Sequence, residues 1–270
     1  MLDKTLIQWF IEPSIKRNMS PIKLDSRFSP IIRRTLIANE KLKEILSKDH
    51  SYEDYDVFFL TFTNYLGKEI KYIGKIVDEL KNRNIKCSLL IFDPLSKLSI
   101  SKLRSSENMI YSYIKYVDKE DVKKRAQKIS KTYKKLNDER KIYYSFEMIY
   151  LLILYYETVK IALKKHRTKL VFVTGDLSII ERCVIAAADS CNVKILLNPI
   201  GLGFGITDYH NLDNLYMAAF GNDHKKMLLA NGVKKDHIFL TGSIMFDKIG
   251  SYVRSKNALH QNRTDSSKTA

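Results

Sequence analysis

The chain has 270 residues, an apolar content of 45% and a formal charge of +16 at pH 7. That apolar share excludes a wholly disordered chain, and the charge is read equally as an anionic partner (nucleotide phosphates, nucleic acid or an acidic membrane surface) or as a solvated, Lys-rich surface. Three scattered cysteines, Cys87, Cys183 and Cys191, form no C-x-x-C pair, so neither a disulfide framework nor a structural zinc site is expected.

Residues 1–50 carry Pro13, Pro21 and Pro30 and then an amphipathic pattern at Ile32, Leu36, Leu42, Ile45 and Leu46. They read as a helical extension. Leu2 to Phe10 is interrupted by Asp3, Lys4 and Gln8, which does not suit a secretory signal. Val57 to Phe62 is the first predicted strand. The turn Thr63 to Gly67 leads into a helix reaching about Arg83, with apolar residues at Ile70, Ile73, Val77 and Leu80. Lys86 to Phe92 is a second strand. Ile110 to Val117 alternates Ile and Tyr with more polar residues and predicts a third, at a sheet edge.

Asp118 to Lys141 is dense in Lys and Arg and predicts a long exposed helix, or a surface that docks on anionic lipid or polymer. Tyr143 to Leu163 is apolar around most of its circumference and predicts a buried helix. Its most apolar run, Met148 to Tyr156, is bounded by Glu147 and Glu157, well short of the roughly 20 residues a membrane span needs. A cytoplasmic protein, peripheral at a membrane if the basic surface docks there, is the expectation.

From Lys169 onward strand, turn and helix repeat with short connections. Leu170 to Val173 is a strand ending at Thr174-Gly175-Asp176. Ser178 and Glu181 form an S-x-x-E capping box for a helix to about Ser190. Val193 to Leu197 is the next strand, followed by the turn Pro199 to Gly205. Leu215 to Phe220 precedes a helix capped by Asn222 or Asp223 and closed at Asn231-Gly232. His237 to Leu240 leads to Thr241-Gly242-Ser243. This is the pattern of an α/β, Rossmann-like, doubly wound and mostly parallel sheet. Residues 51–250 form its domain, and the polar stretch 251–270 is expected to be disordered.

Ligands of such sheets sit outside the carboxyl ends of the strands. The candidate binding residues there are Asn64, Gly67, Thr174, Gly201, Gly203, Thr241, Gly242 and Ser243. Asp176, at a strand end, is the candidate proton acceptor, with His210 and its neighbour Asp208 on the loop after the glycines as further candidates. Each also has an ordinary explanation as a turn, cap or surface residue. Gly201, Gly203 and Gly205 have G-x-G-x-G spacing, which differs from the dinucleotide fingerprint. The histidines are scattered, with no H-E-x-x-H motif or Cys/His cluster, so no metal is expected; no cofactor is expected either, and the nucleophile elbow G-x-S-x-G is absent.

The stretch 169–249 resembles sugar-transfer enzymes of the GT-B type, and within them the UDP-N-acetylglucosamine 2-epimerase-like and CDP-glycerol glycerophosphotransferase-like proteins. The resemblance is carried by three segments. Val173-Thr174-Gly175-Asp176 is followed by Ala186-Ala187-Ala188 and Lys194-Ile195-Leu196-Leu197. Gly221 is followed by Gly232-Val233. Ile238-Phe239-Leu240-Thr241-Gly242-Ser243 ends in Phe246-Asp247. The resemblance implies the N-terminal, acceptor-side half of a GT-B glycosyltransferase or epimerase-like protein of surface polysaccharide synthesis. Its partners would be a nucleotide-sugar and a glycan acceptor.

Two positions depart from the family. Ile200-Gly201 stands where the family often has His-Gly, and only the polar stretch follows Ile249 where the family has a second Rossmann-like domain. A fragment, or a half that works with a separate partner half, is the expectation that follows. The contrasting reading is a non-catalytic module for an anionic polymer or membrane surface. Specific nucleic-acid recognition is not expected, because no basic-aromatic strand motif occurs.

Overall fold

A computed structural model describes residues 53–61, 66–91, 107–137, 146–175, 179–199 and 212–242. Within them the chain runs β1 (Val57–Thr61), α1 (Leu66–Asn82), β2 (Cys87–Ile91), β3 (Glu107–Met109), a 3₁₀ helix (Ile110–Tyr116), α2 (Lys119–Asn137) and α3 (Phe146–Lys165). It continues through β4 (Leu170–Val173), α4 (Ile179–Ser190), β5 (Lys194–Leu197), β6 (Leu215–Ala219), α5 (Asn222–Ala230), a short 3₁₀ turn (Lys235–His237) and β7 (Ile238–Leu240). The strands form one sheet in the order β3-β2-β1-β4-β5-β6-β7. Every pairing is parallel, so the Rossmann-like, doubly wound expectation holds.

The order reverses direction between β1 and β4. Right-handed crossovers on opposite sides of such a reversal place their helices on opposite faces. That is the arrangement observed. α1 packs Ile73, with Ile76, Val77 and Leu80 beside it, against Val57, Phe59 and Phe172. The other face carries the larger core, where α2, α3 and α4 meet Phe58, Leu60, Leu90, Val171, Val173, Ile195 and Leu197. α3 lies between α2, α4 and the longer 3₁₀ helix. This is why Leu151 to Tyr156 are buried without a break and why its sequence is apolar all round.

Four helices end in the same way. Asn84, Arg167, Asn192 and Gly232 each take a positive φ, between 47° and 88°. The next residue in each case, Ile85, Thr168, Val193 or Val233, donates its N–H to the carbonyl five residues earlier, on Leu80, Leu163, Ala188 or Leu228. This Schellman closure satisfies the last carbonyls and turns Ile85, Val193 and Val233, and after Arg167 the β-branched Thr168, back onto the helix. At the amino edge Asp56 joins three strands. Its Oδ2 accepts from the Lys86 N–H, its Oδ1 pairs with Lys169 Nζ at 2.7 Å, and its carbonyl accepts from Lys169 and Leu170. The Lys169 ammonium and the Lys86 amide hold this carboxyl below the usual carboxylate range.

Three expectations are corrected. The predicted strand Ile110 to Val117 is the 3₁₀ helix, and the strand lies just before it. There the Tyr113 hydroxyl meets buried His166 Nε2, whose Nδ1 donates to the Glu53 carbonyl. Second, the basic helix is not exposed throughout, since Val122, Ala126 and Ile129 are buried. Third, neither Asn222 nor Asp223 caps α5. Gly221 is the N-cap residue, without a side-chain cap bond. The predicted extension 1–50 and tail 251–270 lie outside the described residues.

Candidate functional site

All seven strands are parallel, so all seven carboxyl ends lie on one edge of the sheet. Register gives that edge its shape. Phe59 pairs with Phe172 and Val173 with Leu197, so β1, β4 and β5 stop at nearly one level. Leu197 pairs with Met217 and Ala219 with Leu240, so β6 and β7 run two residues further. At about 3.3 Å per residue, the rim steps up by about 7 Å from β5 to β6. Between β4 and β7 the edge spans three strand spacings, about 14 Å. The lower floor beside this step contains the switch point between β1 and β4, where open α/β sheets bind their ligands.

Of the sequence candidates, Thr174, Thr241 and Gly242 stand on this edge. Thr174 and Gly175 follow β4. Thr241 continues the β7 ladder by donating its N–H to the Ala219 carbonyl, and its hydroxyl donates to the Gly242 carbonyl. Gly242 has φ +73°, a left-handed conformation that favours glycine, so turn geometry accounts for it. Gly67, expected in a turn, lies instead in the first turn of α1. Asn64, Asp176, Gly201, Gly203, His210, Asp208 and Ser243 lie outside the described residues.

Two residues that sequence reasoning did not single out for chemistry join this rim. The first is Glu181, read from the sequence only as half of a capping box. A Cβ placed on Gly175 would lie 2.7 Å from Glu181 Oε1. The carboxylate thus occupies the space that glycine leaves open at the end of β4. The second is His224, in the first turn of α5. Its Nδ1 accepts the Phe220 N–H at 3.1 Å, and its ring lies 4.8 Å from that of Phe220. An accepting Nδ1 leaves the proton of the neutral ring on Nε2. A histidine three residues past a glycine N-cap, just after a strand, was the available signal.

Burial lowers the His224 pKa from its ordinary 6.5. Below 6.5 the unfolded chain therefore binds a proton that the folded chain does not, until the folded-state pKa is passed. Stability falls as pH drops through that window. His224→Asn keeps an acceptor near the Phe220 amide and removes the titration. Its melting temperature is expected to depend less on pH just below 6.5, which thermal melts across that range check.

None of the three cysteines is a poised nucleophile, since burial raises the pKa of Cys87, Cys183 and Cys191 alike. Among the described residues no group of three or more His, Cys, Asp or Glu side chains is placed to hold a metal ion. No helix among them is long and apolar enough to cross a membrane. No protein-family model matches the sequence, and no curated protein matches it significantly.

Proposed function

We propose that this chain is the acceptor-side half of a nucleotide-sugar-dependent glycosyltransferase or epimerase-like protein of surface polysaccharide synthesis. The observation that carries the reading is the stepped carboxyl edge, with Thr174, Gly175 and the Glu181 carboxylate at the end of β4 beside the switch point. Of the residues that carry the GT-B resemblance, Thr174-Gly175, Gly221 and Thr241-Gly242 stand on that edge, while Ala186-Ala187-Ala188 lie within α4 and Gly232-Val233 close α5 at the opposite end. A carboxylate there can take the proton of an acceptor hydroxyl, a role open to Glu181 and to Asp176. At the higher step, the N-terminus of α5 offers backbone N–H groups to a phosphate, beside His224. The span from β4 to β7 suits a ligand longer than a single sugar ring.

Titration of the full chain with UDP- and CDP-sugars, followed by backbone amide NMR, tests this. Shifts are expected at Thr174, Gly175, Gly221 and His224. Gly175→Val pushes the Glu181 carboxylate aside and is expected to weaken binding by about tenfold. Glu181→Gln is expected to leave binding within a few-fold while lowering transfer, measured with any partner half supplied, by about 100-fold. Shifts confined to the amino edge around Asp56 and Asn84, or no shifts, would overturn the reading.

A further inference from the structure

We propose that the outer face of α2, together with Tyr116 and Lys165 at its start, docks on an anionic phospholipid bilayer. This inference does not rest on the glycosyl-transfer reading.

The face follows from helical geometry. Val122, Ala126 and Ile129 are buried and point α2 toward α3. Lys124 and Lys131 then lie on the opposite side of the helix, with Lys123 and Lys128 flanking them. All four are exposed, as is Lys119. Lys119 falls on the Val122 and Ala126 side of the helix, so the outward lysines run from Lys123 to Lys131, about 12 Å along the axis.

Negative charge is confined to the entry of the helix. Glu120 and Asp121 occupy its first turn, where the helix dipole favours them. Asp118 Oδ1 accepts the N–H groups of both. From Val122 to Asn137 the sequence has no Asp or Glu. The one arginine of the helix, Arg125, is turned inward to Glu157. Between Val122 and Lys131 the outward charges are therefore lysines alone, while exposed Glu120 lies one turn before Lys124 on the same face.

A second group extends the patch from other parts of the chain. Tyr116 is 40% exposed. Lys165 Nζ, from the end of α3, lies 3.2 Å from its ring centroid, and Lys115 Nζ lies 5.1 Å from it. A half-exposed aromatic ring among lysines has an apolar body and a wet rim, which suits the headgroup layer of a bilayer.

The pattern favours a membrane over a nucleic acid. Among its described side chains, from 119 to 131, the outer face of α2 presents neither an arginine fork for bases and phosphates nor an aromatic platform for stacking. It presents Lys124 and Lys131 about 10 Å apart along the axis, more than the Debye length of about 8 Å, with Lys123 and Lys128 to either side. Such a spread of point charges meets an extended charged plane. Each lysine near an anionic leaflet raises partitioning by roughly fivefold.

Co-sedimentation of the full chain with vesicles tests the proposal. Binding is expected to vesicles containing phosphatidylglycerol or phosphatidylserine and not to phosphatidylcholine alone, and to weaken as salt is raised. Replacing Lys123, Lys124, Lys128 and Lys131 by Gln is expected to reduce partitioning by roughly 600-fold if all four reach the leaflet. Replacing exposed Lys75, Lys81, Lys86 and Lys235 by Gln removes the same charge elsewhere and is expected to change it only a few-fold. Far-UV circular dichroism establishes that both variants are folded. Equal losses in the two variants, no vesicle binding by the unaltered chain, or tighter binding to RNA than to anionic vesicles would overturn the proposal.

Discussion

Phe58→Ala is expected to cost about 4 kcal/mol of stability, the largest effect of any single substitution argued for this chain. Phe58 lies mid-strand on β1 and is fully buried on the face that carries the larger core. Its ring meets His166 edge-on at 5.4 Å between centroids and Tyr55 at 5.5 Å. His166 in turn is fixed through both ring nitrogens, to Tyr113 and to Glu53. Truncation removes the ring that this polar cluster packs against, and a parallel strand held by neighbours on both edges has little freedom to collapse into the space. The control is Phe239→Ala on the edge strand β7. Phe239 is 49% exposed, and its loss is expected to change stability by about 0.5 kcal/mol or less. Urea titration of the two variants checks the contrast. Similar midpoints would mean that the burial pattern does not describe the folded core.

That contrast shows which level of the fold the sequence encodes plainly. The strands at Val57, Cys87, Leu170, Lys194 and Leu215 are short apolar runs bounded by polar or glycine turns. Burial on both faces leaves no other reading for them. The stretch at Ile110 misled because Ile and Tyr recur at spacings that satisfy a period of two. From Tyr113 on, where burial is described, the buried positions are Tyr113 and Val117, four apart, and what selects the turn is tertiary. The Tyr113 hydroxyl reaches a histidine 53 residues away.

The helix endings show a similar gradient. Gly232 announces its left-handed turn, and Asn84 and Asn192, each before Ile or Val, do so less loudly. Arg167 gives no local sign, and its conformation is imposed by the hydrogen bonds around it. The candidate site was legible as a place, because parallel strands fix which edge binds. Its chemistry was less so. Glu181 and His224 have ordinary helix-start roles in sequence, and only the approach of β4 to α4 puts the carboxylate against Gly175.

The ion pair between α2 and α3 yields the second large effect. Arg125 Nη1 lies 2.7 Å from Glu157 Oε1, and each side chain is 19% exposed. Burial opposes the charge on Arg125, and the Glu157 and Asp121 carboxylates together outweigh it, holding the guanidinium above its ordinary pKa. Glu157→Ala leaves that charge between two helices with Asp121 at 3.5 Å, and it also takes the carboxylate from Lys160 Nζ, which lies 3.0 Å from Glu157 Oε2 and 5.1 Å from the Tyr156 ring centroid. A stranded charge of this kind costs about 3 kcal/mol or more when fully buried, and roughly 2 kcal/mol is expected here because solvent reaches both groups. The pair is also imperfect as built, since Arg125 Nη2 is buried without a hydrogen-bond partner. Replacing both groups with apolar residues of similar reach, Arg125→Met with Glu157→Leu, is therefore expected to recover stability to within about 1 kcal/mol of the unaltered chain. A double-mutant cycle in urea measures the coupling directly. A double variant less stable than Glu157→Ala would show that the pair contributes more than its desolvation costs. Recovery would mean that the charges specify how α2 sits on α3 while Val122, Ala126 and Ile129 supply the stability. In that case α2 retains its place, with its lysines outward, even without the ion pair.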